Sequence, residues 1–273
     1  MFAWMAGAVC LLAVWSALYA LVLSGLQERH LQNDGYARFR EQLASQTAPI
    51  GGVIAPDAPV ALITAPGLGL KDVVVVEGSA GDDLEHGPGH RRDSPLPGQP
   101  GVSVIYGRAS LFGAPFDRLT NAAKGDLITM TTGQGVFRYA VEDVRHVGDH
   151  FPQPLPAGGS RLTLATAEGG TLGNGFTPAA PVYLDANLVG KTVAAPGPVL
   201  SDVPDAEKAM GHDLSALVPL VLWLGLLVLS GLALVWSVAR WGRWQTWLVG
   251  SPLVLAVLWG ATGTAVELLP NLM

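Results

Sequence analysis

Cysteine is almost absent from this sequence. The single cysteine among the 273 residues is Cys10, and it lies inside an uncharged apolar run near the start of the chain. No disulfide can therefore form within the rest of the chain, which has to be stabilised by packing and hydrogen bonds alone. We interpret Cys10 as a small apolar residue of a helix and expect neither a redox nor a lipidation role for it.

Charge is scarce as well. Asp, Glu, Lys and Arg make up 14% of the residues, against about a quarter in an ordinary globular domain. The deficit is concentrated in three runs without charge, Phe2–Leu26, Leu214–Ala239 and Trp247–Val266. Each is long enough to cross the hydrocarbon layer of a bilayer, which takes about 20 residues. The sequence thus predicts three transmembrane helices.

The first run is predicted to be an uncleaved anchor. A cleaved signal peptide is the alternative, but no basic segment precedes this run and no small-residue cleavage site follows it. Net charge is −6 and there is no basic stripe, so we expect no nucleic-acid partner.

The short connection between the second and third runs sets the orientation. It contains Arg240 and Arg243 without an acidic residue, and Trp241, Trp244 and Trp247 lie in or beside it. Positive charge favours the cytoplasmic side, and tryptophans favour the membrane interface. The N-terminus is then cytoplasmic, and the middle of the chain is extracytoplasmic, at the plasma membrane and in the cell envelope.

The middle of the chain shows the pattern of a β-barrel, with short apolar runs separated by turns rich in Gly and Pro. The predicted strands are Val60–Ala65, Val73–Glu77, Val102–Tyr106, Asp126–Thr132, Val136–Val147, Arg161–Thr166 and Val182–Leu188. The predicted order is transmembrane helix 1–26, partly helical stalk 27–58, barrel 59–190, linker 191–212, transmembrane helix 213–239, cytoplasmic loop 240–246 and transmembrane helix 247–267.

Three segments in this region resemble a known family. They are VVVVEGSAGDDLEHGPGH, then GPGH…SPLPGQPG…VIYGR…FGAPFDRL, and then the run from Arg161 to Ala167, RLTLATA. In this order they resemble the sortases, most closely the class E type of Actinobacteria, over roughly Pro56 to Leu188. The resemblance implies an all-β barrel of about eight strands with short helices, held outside the membrane. It also implies the fold of a cysteine transpeptidase.

The resemblance also indicates where the catalytic residues of the family belong. Sortases use a His after the VIYG-type strand, a Cys at the end of the TLxTC-type strand and an Arg at the start of the next strand. The matching positions hold Arg108, Ala167 and Pro181. The resemblance therefore implies a sortase fold without sortase chemistry, that is, a pseudoenzyme.

A different nucleophile would need a hydroxyl next to a base. Candidate hydroxyls are Thr163, Thr166, Ser103 and Ser110, and candidate bases are His86, His90 and Glu168. In the class E pattern a His also stands at the place of His90, so we expect a structural role for it. Arg108 is expected to be a surface arginine in a salt bridge, with anion binding as the alternative. The groove candidates are His90, Arg108, Thr166 and Glu168.

No cofactor is expected. The six histidines are scattered, and Asp82-Asp83-x-Glu85 is interpreted as a solvated turn rather than a calcium site. No glycine-rich loop stands between a strand and a helix in the way that phosphate binding requires.

Three functions remain open from sequence. The first is a scaffold or accessory subunit that binds other membrane proteins, the second a non-catalytic binder of a peptide or cell-wall segment, and the third an enzyme with a relocated nucleophile. Small residues favour close helix packing in membranes, and the candidates for such contacts are Gly225, Gly231, Gly260 and Gly263. Packing of the chain's own helices against each other is the alternative use of these glycines.

Overall fold

The computed structural model of the protein describes residues 2–168 and 180–273, with the backbone alone for residues 2–9. The chain divides into two compact units. A helical unit contains Met1–Tyr19 and Asp213–Leu269, and a barrel unit contains Ala20–His212 and Pro270–Met273. The last four residues thus fold with the barrel, although only two residues separate them from the final helix, which ends at Glu267.

Eight strands form a closed barrel in the order β1-β2-β3-β4-β7-β8-β6-β5. Their bounds are β1 Pro59–Ala65, β2 Leu70–Glu77, β3 Gly89–His90, β4 Gly101–Tyr106, β5 Leu127–Thr132, β6 Gly135–Arg145, β7 Ser160–Glu168 and β8 Ala180–Leu188. The predicted barrel with three apolar helices is confirmed. Seven of the strands coincide with the predicted runs. The eighth, β3, has two residues, which is too short to leave a periodic pattern.

The four valines of β2 are explained by apolar contacts on both faces of the sheet. Val75 belongs to the barrel core together with Val60 and Ile63 of β1. Val74 and its neighbours on the outer face pack against Phe39, which is fully buried. A strand covered on both sides is apolar without alternation, as this one is.

Phe39 belongs to helix α2, Ser24–Ala44, which occupies most of the predicted stalk. The side chain of Gln32 fixes this helix to β2. Its Nε2 donates to the carbonyl oxygen of Val74 at 3.0 Å, and its Oε1 accepts from the Val74 N–H at 2.8 Å. The helical part of the predicted stalk is therefore a layer of the barrel unit and not a free-standing spacer.

The predicted linker also packs on the barrel. The Val193 N–H donates to Gly98 O at 2.9 Å. Ser79 Oγ donates to the main-chain oxygen of Glu207 at 2.8 Å, and the Glu207 carboxylate pairs with Arg92. Residues 191–212 are thus part of the barrel unit and form one of its surfaces.

The helices of the helical unit are α1 Phe2–Leu18, α3 Leu217–Trp241 and α4 Arg243–Glu267, and one π-helical turn, Tyr19–Leu23, follows α1. By length and composition, the helical segments Cys10–Ala44, Leu214–Trp241 and Arg243–Glu267 suffice to cross a membrane. The predicted loop 240–246 is wrong, because Gly242 alone separates α3 from α4. Its φ of +96° lies in the region that favours glycine, and this lets the chain reverse in one residue.

The four glycines predicted to serve helix packing, Gly225, Gly231, Gly260 and Gly263, differ in whether another part of the chain lies next to them. A Cβ on Gly260 would lie 2.5 Å from the Trp223 ring, and one on Gly263 would lie 3.5 Å from the Tyr19 hydroxyl. These two glycines serve packing within the chain. A Cβ on Gly225 or Gly231 would meet no atom within 4 Å, so neither of these two glycines serves packing within the described part of the chain.

Candidate functional site

The site is built at the adjacent ends of β4, β7 and β8. Strands β4 and β7 run parallel with Tyr106 opposite Ala165, and the Gly107 N–H donates to Ala165 O at 3.0 Å. Ala167 stands opposite Pro181 in the β7–β8 ladder. Arg108 comes directly after Gly107. The strand order therefore brings together Arg108, Ala167 and Pro181, the three positions that the sequence resemblance indicated.

Gly107 is required for this turn, because a Cβ there would lie 2.4 Å from the Phe116 ring. The chain can therefore fold back over Phe116, and the next side chain, Arg108, points inwards. Arg108 is fully buried, so the prediction of a surface arginine is wrong.

The Arg108 guanidinium is held by main-chain oxygens and an aromatic ring. Nη2 donates to Gly81 O at 2.7 Å, and Nη1 donates to the main-chain oxygen of Met273 at 3.3 Å. The guanidinium carbon lies 4.9 Å from the centroid of the Phe112 ring. A buried cation needs such partners to offset its desolvation.

The segment Pro270–Met273 occupies the groove beside these residues. Leu272 is fully buried and packs with Leu84, Tyr106, Ala165 and Ala167. Its carbonyl oxygen accepts the Ala109 N–H at 3.0 Å. The methyl group of Ala167 thus faces an apolar side chain of the same polypeptide.

Asn271 is the polar anchor of this segment, with an exposed fraction of 1%. Its Nδ2 donates to the carbonyl oxygens of Ser79 at 2.8 Å, Lys208 at 3.0 Å and Ala206 at 3.2 Å. Its main-chain N–H donates to Gly211 O at 3.0 Å. Residues of the predicted linker therefore line the groove. We refer below to the space bounded by residues 79–84, 106–109, 165–167 and 206–211 as the groove.

One titratable group next to the groove is strongly perturbed. Burial raises the pKa of the Asp83 carboxyl to about 7, and the neighbouring acids Asp82, Asp57 and Glu207 act in the same direction. A hydrogen bond from the Ala80 N–H, 2.9 Å long, opposes the shift. The carboxyl thus titrates near neutral pH beside Leu84.

Residues 63–169 match the family model of the sortase domain. The matched range begins within β1 and ends just after β7, so it includes Arg108 and Ala167. It covers 107 of the 273 residues. No curated protein matches the chain.

Solved sortases have similar folds at low identity. The Clostridium perfringens sortase D5 transpeptidase is 20% identical with a TM-score of 0.47, over 59% of this chain and 99% of that one. Sortase E from Streptomyces avermitilis is 22% identical with a TM-score of 0.41, over 57% and 100%. SrtA sortase from Actinomyces oris is 19% identical with a TM-score of 0.42, over 52% and 85%.

Within the region that matches the family model, His90 belongs to a buried polar network. Its Nδ1 lies 2.8 Å from Glu77 Oε2, and its Nε2 lies 3.1 Å from Ser94 Oγ and 3.1 Å from Pro95 O. A Ser–His–Glu order of this kind also occurs in serine hydrolases. No sequence motif indicates this network, because Glu77 and His90 come together only through the β2–β3 pairing.

The Ser94–His90–Glu77 network is closed to substrate. Ser94 Oγ donates to Arg91 O at 2.8 Å and accepts the Val104 N–H at 3.1 Å. The adjoining cavity measures about 10 Å³, which is room for one water molecule at most. The network joins the loop after β3 to β4 and is structural.

The other predicted groups do not form a nucleophile–base pair in the part of the chain described. Thr166 Oγ1 donates to Gly107 O at 2.9 Å, and Thr163 Oγ1 donates to Asp185 at 2.6 Å. Glu168 is exposed and lies 3.0 Å from His146, and His86 lies 3.1 Å from Asp57. Of the remaining hydroxyls, Ser103 is buried and Ser110 is exposed.

An open cleft of about 500 Å³ lies between β6 and residues 150–153. Its lining residues include Lys124, Glu142, Arg145 and His150. None of the predicted site residues lines it, so it gives no support to any of the sequence-based hypotheses.

Proposed function

We propose that this chain is a membrane-anchored pseudoenzyme with a sortase-like domain of the class E type, and that it serves as a scaffold or accessory subunit of a membrane assembly. One observation carries the proposal. The three positions that match the catalytic residues of sortases hold Arg108, Ala167 and Pro181, and Leu272 fills the space beside Ala167.

None of these three side chains can replace the sortase chemistry. The acyl intermediate of a sortase forms on a thiolate, and Ala167 offers a methyl group. Proton transfer needs a group that titrates near neutral pH, which an arginine does not. Oxyanion stabilisation needs a donor or a positive charge, and Pro181 has neither.

Assembly is supported by the helical unit. The sortase-like domain needs one anchor, and α3 and α4 add two more apolar helices. Gly225 and Gly231 of α3 each have no other atom of the described chain within 4 Å of a Cβ position, so the backbone of another helix can approach closely at either glycine. The partner class is therefore another membrane protein, with the sortase-like domain on the extracytoplasmic side as Arg240 and Arg243 indicate.

The test is affinity purification of the tagged full-length protein from native membranes, followed by mass spectrometry of the proteins that copurify. A variant with Gly225→Leu and Gly231→Leu should lose the partner while its barrel stays folded. The matched control is Ala233→Leu, a small-to-large change at another exposed position of α3, which should keep the partner. Recovery of the protein alone from native membranes would contradict the scaffold role.

A second candidate function is non-catalytic binding of a peptide or cell-wall segment. It is favoured by the fact that the groove already holds a stretch of polypeptide, Pro270–Met273. If no partner copurifies, this function takes precedence over the scaffold role.

A further inference from the structure

The groove holds Pro270–Met273 through contacts that distinguish one side chain from another. We infer that this segment is a built-in ligand of the groove, and that the groove is a peptide site that reads an asparagine followed by a large aliphatic residue. The inference rests on the second candidate function, peptide binding, and specifies the residues that the groove reads; it does not depend on the scaffold role.

The asparagine is recognised by carbonyl oxygens alone. Asn271 Nδ2 lies within hydrogen-bond distance of three of them, on Ser79, Ala206 and Lys208, and its two N–H groups are shared among these acceptors. An aspartate has the same shape but only acceptors, so it would face these oxygens with negative charge and no proton to donate. The burial of Asn271, at 1% exposed, leaves no water to relieve that repulsion.

The turn of residues 205–211 supplies two of these carbonyl oxygens, those of Ala206 and Lys208, and it depends on a glycine. A Cβ on Gly211 would lie 2.4 Å from Asp205 O, 2.7 Å from Ala206 O and 2.8 Å from Lys208 O. The turn can close only with glycine at this position, and closing it brings its carbonyl oxygens together around the asparagine amide.

The groove recognises the leucine by the size of its side chain, because the surrounding residues leave space for it. Leu272 has no exposed surface, and two alanines, Ala165 and Ala167, form part of the cluster around it. A larger side chain at either alanine would take the space of the leucine. Burial of the apolar surface of a leucine side chain is favourable, so a polar residue here would lose most of that contribution to binding.

Main-chain contacts hold the segment whatever its sequence. The Ala109 N–H donates to Leu272 O, and Arg108 donates to the main-chain oxygen of Met273. Main-chain hydrogen bonds combined with side-chain subsites are the usual basis of peptide recognition by a groove. Arg108 thus contributes to binding of the peptide main chain, a role that requires no proton transfer.

A tethered ligand competes at a high effective concentration, in the millimolar range for short links. An added peptide of the same sequence should therefore bind weakly to the wild-type protein. It should bind more tightly once a substitution has weakened the binding of the protein's own segment to the groove. This difference in affinity between wild type and variant makes the inference testable.

The first measurement is amide hydrogen exchange of two neighbouring residues in the full-length protein. The Ala109 N–H bonds to Leu272, whereas the Gly107 N–H bonds to Ala165 within the barrel. In the wild type both should be protected. In Asn271→Asp, exchange at Ala109 should accelerate about tenfold or more, because the buried hydrogen bonds of the asparagine amide are lost. Gly107 should stay protected, which shows that the barrel is intact.

The second measurement uses a fluorescent peptide with the sequence of residues 268–273, LLPNLM. It should bind the Asn271→Asp protein at least about tenfold more tightly than the wild type. The same peptide with Asp in place of Asn should bind neither. Leu272→Asp provides a second route to an empty groove and should behave like Asn271→Asp.

Two results would overturn the inference. One is rapid exchange of Ala109 in the wild type while Gly107 is protected, which would mean that the segment does not occupy the groove. The other is a failure of the peptide to bind either variant when Gly107 remains protected. Neither result bears on turnover or on copurifying proteins, so failure of this inference and failure of the proposed function can be told apart.

Discussion

Ala167 and Pro181 stand opposite each other in the β7–β8 ladder, and neither side chain can donate a proton or attack a carbonyl. The unreactive side chains on which the proposed pseudoenzyme rests thus lie on two paired strands and are not confined to one position. Restoring a single residue would leave its neighbour unable to assist, and Arg108 would still be buried against main-chain oxygens.

We predict no transpeptidase or peptidase turnover, and none after Ala167→Cys alone. A thiol at this position would lie against Leu272 without a base to deprotonate it. The measurement is cleavage of a sorting-signal peptide with an amine acceptor present, with an active sortase as the positive control. Turnover of the wild type that is abolished by Ser94→Ala, Thr166→Ala or Ser110→Ala would establish a relocated nucleophile.

Helix α2 should contribute to the stability of the barrel. Phe39 is fully buried against Leu62, Val74 and Val76, and removing a large aromatic side chain from a core costs roughly 3–5 kcal/mol. Phe39→Ala should therefore lower the free energy of unfolding of the barrel by about that amount in denaturant titration. Glu41→Ala, at an exposed position of the same helix, should change it little. Equal stability of the two variants would mean that α2 is dispensable.

Asp83 should make the barrel less stable as pH rises. Its folded pKa of about 7 exceeds the value of 3.8 expected when unfolded. The folded state therefore binds the proton more tightly, and the associated stability is present below about pH 4 and lost by about pH 7. Asp83→Asn keeps an acceptor for the Ala80 N–H and removes the titration.

The expected result is that the unfolding free energy of Asp83→Asn, relative to wild type, rises with pH by up to about 1.4 kcal/mol per unit between those limits. Thermal unfolding at several pH values measures it. Asp82→Asn, at an exposed neighbour, serves as the control and should show a much weaker trend. If the unfolding free energies of wild type and Asp83→Asn changed with pH in the same way, the assignment of the raised pKa to Asp83 would be contradicted.

Orientation in the membrane can be tested by labelling single cysteines in a Cys10→Ser background. Gln245 and Lys191 are both exposed, and the proposed topology has Gln245 on the cytoplasmic side, because positively charged residues such as the neighbouring arginines favour that side. In intact cells an impermeant maleimide should label Lys191→Cys and spare Gln245→Cys, while both should react after lysis. The reverse pattern would invert the topology.

Much of the fold could be predicted because its signals are local. Valine runs, glycine-rich turns and uncharged stretches each determine structure within a few residues, so the barrel and the three helices followed from the sequence. The two residues of β3, Gly89 and His90, carry no period and were missed. The single-residue turn at Gly242 was also missed, since tryptophans and arginines on both sides resembled a loop.

The site was less predictable, because its decisive contacts join distant parts of the chain. The burial of Arg108 depends on Gly81 and Met273, and the role of Asn271 depends on a turn about 60 residues earlier. One signal was available in the sequence. Leu272 and Met273 are large and apolar and follow a helix stop at Pro270, where water-exposed residues are expected.

The amide of Gln32 has a consequence for contacts between molecules. Strand β2 pairs with β3 only at Val76 and Glu77, so the rest of that side of β2 would offer free main-chain groups. Such groups invite strand addition by another chain, which is how sheets aggregate. Because Gln32 engages both the N–H and the C=O of Val74, these two main-chain groups are not available for pairing with a strand of another molecule.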